Sequence, residues 1–291
     1  MHKNSNTGMN RSLKSLSLVA SLLLSGISIT WAEVSTSELP ILTGTEVHTL
    51  HSESVGDDFV LYVHLPPEAF TEPERRFPVL YAMDGDHSFP MICSAVTQLS
   101  WSGAVPPVIV VGVGYGTLDL NNGNHRSRDL SPQPYPGAED SGGGAAFHQF
   151  LTEDVFSYIE AKYPVDTEAR YLFGHSLGGL FSLYTYMKTP EYFQGIIAGS
   201  PLLAGQLELL ESTSTSPDPR NCKLFVATGD EEDAKLFIDD LATLRTKLEA
   251  GWSAEGHFEM VLIPGFDHFT MVAPAISKGL KSVFAPAVAS E

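Results

Sequence analysis

Short apolar runs typical of buried β-strands alternate with helix-period runs along most of this 291-residue chain. The predicted strands are residues 59–65, 78–83, 108–113, 171–173, 195–198, 223–227 and 258–263. Apolar residues recur at helical spacing in 147–159 and in 237–248, and Gly251 is placed to cap the second of these helices. Strands that alternate with helices form mostly parallel sheets with helices on both faces. The pattern therefore predicts an α/β fold built on a mostly parallel, twisted sheet.

The first 32 residues differ in character from the rest. Their basic residues are Lys3, Arg11 and Lys14. An apolar run over 16–29 follows and ends in small residues up to Ala32, which is typical of a secretory signal peptide and too short for a relaxed membrane span. We expect residues 1–32 to be a signal peptide, with an uncleaved anchor as the alternative. The mature domain, 33–291, is then secreted or periplasmic, with no stable membrane span.

Composition excludes several classes of protein. Lys and Arg number 17 against 35 Asp and Glu, a formal charge of −18, which disfavours binding to nucleic acid phosphates. An apolar fraction of 43% argues against a disordered chain. The two cysteines, Cys93 and Cys222, are too few for a disulfide framework or a four-thiolate zinc site, and either pack in the core or form one bridge.

Two stretches fit neither the strand nor the helix period. Residues 115–144 are rich in Gly, Asn, Pro and Asp, and such a long irregular stretch inside a domain is typical of a binding loop or a lid. Residues 211–221 are rich in Ser, Thr and Pro and are predicted to be a surface connection.

The motif GHSLGG at 174–179 carries the strongest functional signal. It follows the strand 171–173 and precedes a helical run, as a nucleophile elbow does. Glycines two positions either side of Ser176 allow the tight turn that projects its hydroxyl above the sheet. The backbone N–H of Leu177 is then placed to donate to the oxyanion formed when an ester carbonyl is attacked.

A serine nucleophile needs a histidine base, and in this architecture the histidine follows the last strand. His268 fits best, because it lies on a turn between the strand 258–263 and the last predicted helix. His257 is at the wrong end of its strand and His175 is inside the elbow, so neither is favoured. His87 and His148 remain as pocket residues that other loops could supply.

The carboxylate that orients the histidine should follow the strand 223–227. Four candidates follow Gly229: Asp230, Glu231, Glu232 and Asp233. Glu232 is favoured because it stands three residues after Gly229, the usual reach for this loop. Asp233 is the second choice, and acids without a catalytic role fit a helix N-terminus.

Several motifs together resemble the "Putative esterase" family of α/β hydrolases, which is esterase D-like, and its siderophore-esterase branch. They are PVLYAMDGD at 78–86, RSRDLSP at 126–132, GGG at 142–144, and the elbow followed by FSLY at 181–184. The resemblance covers roughly 45–285 and implies an α/β-hydrolase fold. It also implies that the backbone N–H of Asp86 is the second oxyanion donor, and the Asp84 side chain is expected to hold that turn.

Candidate substrate-binding residues are Arg126, Arg128 and His87. A guanidinium suits an acidic or catechol-bearing substrate, but a structural pairing of Arg128 with Asp129 fits the sequence equally well. One departure concerns the stretch after Gly199-Ser200-Pro201, where siderophore-type members often continue with serine and tryptophan and this chain has leucines and glycine.

The motifs predict a serine carboxylic-ester hydrolase that acts through an acyl-enzyme on a small-molecule ester, with Ser176 as nucleophile, His268 as base and Glu232 as orienting acid. No cofactor is expected, and no metal, because no histidine pair has helical ligand spacing. An acyltransferase with the same triad is one alternative. A non-catalytic binding protein on the hydrolase scaffold is the other.

Overall fold

The computed structural model describes residues 43–213, 222–252 and 257–285. Their strands form one sheet and are β1 (Thr45–Ser52), β2 (Asp57–His64), β3 (Phe77–Ala82), β4 (Ile109–Gly114), β5 (Val165–His175), β6 (Gly195–Gly199), β7 (Lys223–Gly229) and β8 (Phe258–Ile263). The order across the sheet is β1-β2-β4-β3-β5-β6-β7-β8. β1 pairs antiparallel with β2, and β2 antiparallel with β4, while every later pair is parallel.

Helices connect the strands. The α-helices are α1 (Glu68–Thr71), α2 (Gly85–Trp101), α3 (Arg126–Asp129), α4 (Gly144–Gln149), α5 (Phe156–Lys162), α6 (Leu177–Lys188), α7 (Leu207–Thr213), α8 (Leu241–Lys247) and α9 (Val272–Phe284). Shorter helical turns are the π-helical segments Phe150–Val155, Ala234–Ile238 and Leu248–Trp252 and the 3-10 turn Pro190–Tyr192.

Apolar layers cover both faces of the sheet. On β5, Leu172 faces one layer, formed with α4 to α8, while Tyr171 and Phe173 face the other, formed with α2 and α9. On β6, Ile197 faces the second layer and its neighbours face the first. A strand that is buried on both faces has an almost continuous apolar sequence, which is why these strands could be predicted from the sequence. The predicted α/β-hydrolase class is confirmed.

The pattern missed β1, α1 and α2 and simplified other elements. β1 is largely exposed and therefore lacks a clear apolar signal. The prediction also omitted α2, which carries Pro90 inside it. The predicted loop 115–144 contains the short α3, and part of the predicted connection 211–221 is the end of α7, with the rest outside the described residues. Gly251 does adopt a left-handed φ of 124° in the turn that ends its helical run.

Cys93 and Cys222 are free, fully buried thiols. Cys93 belongs to the apolar layer with α2 and α9, whereas Cys222 belongs to the layer on the opposite face of the sheet. The sheet therefore separates them, and they pack in the core rather than forming a bridge. Burial raises the pKa of both thiols well above the usual range.

The predicted signal peptide, residues 1–32, lies outside the described residues. Within the described part of the chain, no helix combines the length and the apolarity that crossing a membrane requires.

We expect the cysteines to be unreactive until the protein unfolds, because a buried protonated thiol is neither accessible nor nucleophilic. Titration with an aromatic disulfide reagent should detect almost no thiol in native protein and two in guanidinium without reductant. Detection of none in guanidinium would contradict the two free thiols, and rapid labelling of native protein would contradict their burial.

Candidate active site

Ser176 lies in a strained turn between β5 and α6. Its φ is 61°, in the left-handed region that a non-glycine residue adopts only at a cost. The turn is tight because β5 closely approaches the start of α6: a Cβ on Gly174 would lie 2.0 Å from the carbonyl oxygen of Gly178. A Cβ on Gly179 would lie 2.5 Å from the carbonyl oxygen of Gly199. The glycines therefore make room for the turn that presents the serine.

His268 reaches Ser176 from the loop after β8. Its Nε2 lies 3.0 Å from Oγ of Ser176. Asp267 shapes this loop, since its carboxylate accepts hydrogen bonds from the N–H groups of Phe269 and Thr270, and these bonds lower the pKa of Asp267. The ring of Phe237 stacks on the imidazole at a centroid distance of 4.2 Å and so restricts its plane.

Glu232 holds the other side of the imidazole. Its Oε2 lies 2.7 Å from Nδ1 of His268, and its side chain is fully buried. The other oxygen, Oε1, accepts hydrogen bonds from the Ser200 hydroxyl at 2.6 Å and from the N–H of Gly229 at 2.7 Å. Burial opposes ionisation, but the hydrogen bonds from His268, Ser200 and Gly229 outweigh it, so the pKa of Glu232 is lowered.

These partners fix the arrangement of protons. An ionised Glu232 only accepts, so Nδ1 of His268 donates to it and Nε2 is left to accept from the Ser176 hydroxyl. The geometry thus brings together the three residues that the sequence predicted for a nucleophile, a base and an orienting acid.

The neighbouring carboxylates have other partners. Asp230 accepts a hydrogen bond from the N–H of Gly265 at 2.7 Å and so ties the two loops together. Asp233 caps the helical turn that follows, accepting from the N–H groups of Lys235 and Leu236. Glu231 is exposed.

Two helix N-termini meet beside Ser176. Leu177 is the first residue of α6, and Asp86 is the second residue of α2, so neither N–H has an intrahelical acceptor. The two helix starts are in contact, because a Cβ on Gly178 would lie 3.3 Å from the side chains of both Met83 and Asp84. Such a pair of N–H groups can stabilise negative charge on an oxygen.

The Asp86 side chain connects the start of α2 to β2 and to the segment directly after β4. Its carboxylate accepts from the Tyr62 hydroxyl at 2.8 Å and from the N–H groups of Tyr115 and Gly116 at 2.7 and 2.8 Å. Burial and the bond to Asp86 raise the pKa of Tyr62. Three hydrogen bonds to the side chain therefore hold Asp86 in place.

Both arginines proposed as substrate ligands pair with carboxylates. Arg126 forms a bidentate pair with the buried Asp84, with N–O distances of 2.7 and 2.8 Å. Arg128 pairs bidentately with Asp129 at 2.8 and 3.0 Å and also contacts Asp57 at 3.0 Å. The structural pairing of Arg128 with Asp129 that the sequence allowed is present, and Asp84 holds its turn through Arg126. A substrate role for either arginine stays a prediction.

The other histidines divide by position. His87 is exposed in the first turn of α2, and its substrate role also stays a prediction. His148 is buried, with its Nε2 2.9 Å from the Thr189 hydroxyl and its ring 6.5 Å from that of Phe181, and its role in a pocket stays a prediction. The ring of His175 lies 4.7 Å from that of His268, and burial, together with the interaction with His268, lowers the pKa of His175 to about 4, so it is neutral at ordinary pH.

Sequence reasoning missed three side chains around the triad. Ser200 binds Glu232 and Phe237 stacks on His268. Phe269, whose ring lies 5.5 Å from that of His268, is 86% exposed and offers an apolar surface beside this histidine. The available signals were weak: Ser200 directly follows β6 and Phe269 directly follows the predicted base. Within the described ranges, no cluster of three or more His, Cys, Asp or Glu residues could hold a metal ion.

Known esterases are similar to this chain in sequence. A family model described as "Putative esterase" matches residues 52–257. The ferri-bacillibactin esterase BesA of Bacillus subtilis is 28% identical over 273 residues, which cover 86% of this chain and 93% of that protein. The apo-salmochelin esterase of Escherichia coli is 32% identical over 161 residues, which cover 51% of this chain and 49% of that protein.

Solved structures share the fold. The BES protein from Bacillus cereus superimposes with a TM-score of 0.71 at 24% identity and covers 84% of this chain and 96% of that one. The siderophore hydrolase EstA from Aspergillus nidulans gives a TM-score of 0.70 at 22% identity and covers 86% and 97%. The match of the family model over most of the described residues leads to one conclusion: the chain belongs to the "Putative esterase" family of α/β hydrolases and is a serine carboxylic-ester hydrolase.

Proposed function

We propose that this esterase acts through an acyl-enzyme formed on Ser176, with His268 as base and acid and Glu232 as its orienting partner. The observation that carries the proposal is the continuous hydrogen-bonded line from the Ser176 hydroxyl through the imidazole to a buried carboxylate. A serine hydroxyl alone is a weak nucleophile, and this line supplies the base that it lacks.

In the first half-reaction, Oγ of Ser176 attacks the ester carbonyl carbon while its proton passes to Nε2 of His268. The N–H groups of Leu177 and Asp86 donate to the resulting oxyanion. The intermediate then breaks its bond to the alcohol oxygen, which takes the proton from Nε2. The alcohol leaves, and the acyl group remains on Oγ.

In the second half-reaction, water replaces the alcohol. His268 takes a proton from the water as its oxygen attacks the acyl carbon, and the same N–H groups stabilise the second oxyanion. The bond to Oγ breaks, Oγ recovers the proton from Nε2, and a carboxylic acid leaves. An ionised Glu232 stabilises the imidazolium formed in each half-reaction, which agrees with its lowered pKa.

The substrate class that we propose is an ester of the siderophore type. BesA and the apo-salmochelin esterase carry that activity in their names, as does the siderophore triacetylfusarinine C esterase of Aspergillus fumigatus, 31% identical over 155 residues. The exposed ring of Phe269 beside His268 suits the aromatic part of a catecholate ester.

We further propose that residues 1–32 direct export, so that the enzyme works outside the cytoplasm. The support comes from the sequence, in which three cations precede a short apolar run that ends at Ala32.

Ser176→Ala should abolish hydrolysis of short p-nitrophenyl esters, with a loss of about a thousandfold or more in kcat, because no other group replaces the nucleophile. The variant should also fail to react with a fluorophosphonate probe. Ser212→Ala, which truncates an exposed serine on α7, is the matched control and should keep full activity. Undiminished turnover in Ser176→Ala would rule out the acyl-enzyme at this residue.

Glu232→Gln should lower kcat by about a thousandfold, because an amide does not stabilise the imidazolium. A carboxylate whose pKa is lowered on folding contributes stability above its unfolded value, and this contribution is lost as pH falls through the folded value. The difference in unfolding free energy between wild type and Glu232→Gln that comes from ionisation of Glu232 should thus shrink as pH falls below the ordinary Glu value of 4.5.

Urea unfolding at several pH values measures this difference. Glu231→Gln, at the exposed neighbour, is the control and should change neither activity nor the pH dependence of stability. Equal losses of activity in the two variants would mean that the charge of the loop, and not the Glu232 carboxylate, is what matters.

The substrate proposal predicts that kcat/KM for a ferric catecholate trilactone exceeds that for short acyl esters and hydroxycinnamate esters, because the catecholate rings gain contact with Phe269. Steady-state assays on the three substrates measure the preference. Phe269→Ala should reduce the rate on the trilactone more than the rate on the short esters. Equal kcat/KM on all three would indicate a general esterase and count against the siderophore class.

A further inference from the structure

Three non-glycine residues in the described chain have a positive φ, and all three follow adjacent strands of the sheet. They are Asp84 at 56°, Ser176 at 61° and Ser200 at 40°. Asp84 follows β3, Ser176 follows β5 and Ser200 follows β6, which are neighbours in that order. Backbone strain that persists is held by its surroundings and gathers at functional sites. Asp84 holds its turn through Arg126 and Ser176 is the proposed nucleophile, whereas Ser200 has no part in the proposed reaction.

Ser200 is fully buried and fixed on both sides. Its N–H donates to the carbonyl oxygen of Ala227 on β7 at 2.6 Å. Its hydroxyl donates to Oε1 of Glu232 at 2.6 Å. This leaves Oε2 of the same carboxylate for His268. The two oxygens of the acid therefore have different partners, and Ser200 supplies the only side-chain donor to Oε1 among the described residues.

The residues around Ser200 also hold the nucleophile. The carbonyl oxygen of Gly199 accepts from the N–H of Ser176 at 3.0 Å. The N–H of Leu202 donates to the carbonyl oxygen of Ser176 at 3.2 Å. The segment from Gly199 to Leu202 thus binds the backbone of the nucleophile and, through the Ser200 hydroxyl, the side chain of the acid.

We propose that Ser200 is a positioning residue of this esterase, whose strained backbone aims its hydroxyl at Glu232 so that the carboxylate stays ionised and turned towards His268. The inference rests on the proposed function of the triad. A buried carboxylate with one donor fewer is held less firmly, and a single hydrogen bond to an ionised group contributes substantially in a buried site.

The hydroxyl of Ser200 also affects the acid strength of Glu232. Hydrogen bonds to the ionised form lower a carboxyl pKa, so loss of the Ser200 hydroxyl raises the pKa of Glu232. A carboxylate with fewer donors also attracts a protonated imidazole more strongly. Among the described residues, the titratable groups that interact with Glu232 are His268, which touches it, and the buried His175, whose ring lies 4.7 Å from that of His268. Proton binding at this cluster should therefore shift to higher pH when the hydroxyl is removed.

The test compares Ser200→Ala with wild type and with Ser52→Ala. Ser52 is also fully buried and hydrogen-bonded, but it lies on β1 at the far edge of the sheet. We expect Ser200→Ala to lower kcat on p-nitrophenyl acetate about tenfold, with KM nearly unchanged, and to move the acid limb of kcat/KM up by about half a pH unit. Ser52→Ala should leave both unchanged.

A second variant separates the hydroxyl from the strain. Ser200→Gly removes the same hydroxyl but relieves the positive φ, so it should fold at least as well as wild type. It should show the same shift of the acid limb. An equal loss of activity at every pH, with the limb unmoved in both variants, would assign Ser200 a purely structural role and overturn the proposal.

A measurement on the resting enzyme distinguishes failure of the positioning role from failure of the proposed function. Carbon-13 NMR of the carboxyl carbon of Glu232, assigned by its loss in Glu232→Gln, should show titration at higher pH in Ser200→Ala than in wild type. An unshifted titration overturns the positioning role, whereas failure of the proposed function appears as a fluorophosphonate probe that labels Ser176→Ala as well as wild type.

Discussion

The left-handed backbone of Ser176 is the constraint on which this active site depends. The conformation is unfavourable for any side chain with a Cβ, and it persists because the end of β5 and the start of α6 approach too closely for another path. Gly174 and Gly179 permit that approach, and the parallel neighbour β6 fixes it through the carbonyl oxygen of Gly199. The packing and hydrogen bonds of the mostly parallel sheet thus compensate for the backbone strain at Ser176.

The same sheet assembles the rest of the site from distant parts of the chain. The carboxyl ends of parallel strands lie at one edge, so the loops after β5, β7 and β8 bring together Ser176, Glu232 and His268. Loops that carry such groups need internal ties of their own. Asp267 within the last loop, and Asp230 between the last two loops, provide them. Asp230 and Asp267 therefore hold the loops in place, whereas Glu232 contacts His268.

The sequence predicted well those features that buried strands and local spacing determine. Continuous apolar runs located the parallel strands, and the order of motifs led to Ser176, His268 and Glu232, which the structure brings into contact. It did not predict β1, whose exposed edge position leaves no apolar pattern, or α2, which contains Pro90. The contacts of Arg126 with Asp84, of Arg128 with Asp57 and of Ser200 with Glu232 were also beyond it, because they join segments far apart in the chain.

The position of β8 has a consequence for the enzyme as it approaches denaturing conditions. β8 is an edge strand of the sheet and its side chains are largely half-exposed, yet the loop that follows it carries His268. Edge elements open locally at lower free energy than the central strands. Detachment of β8 from β7 would withdraw His268 from Ser176 while the strained turn at the centre of the sheet stays folded. We therefore expect this esterase to lose activity through the opening of one edge strand before its core unfolds.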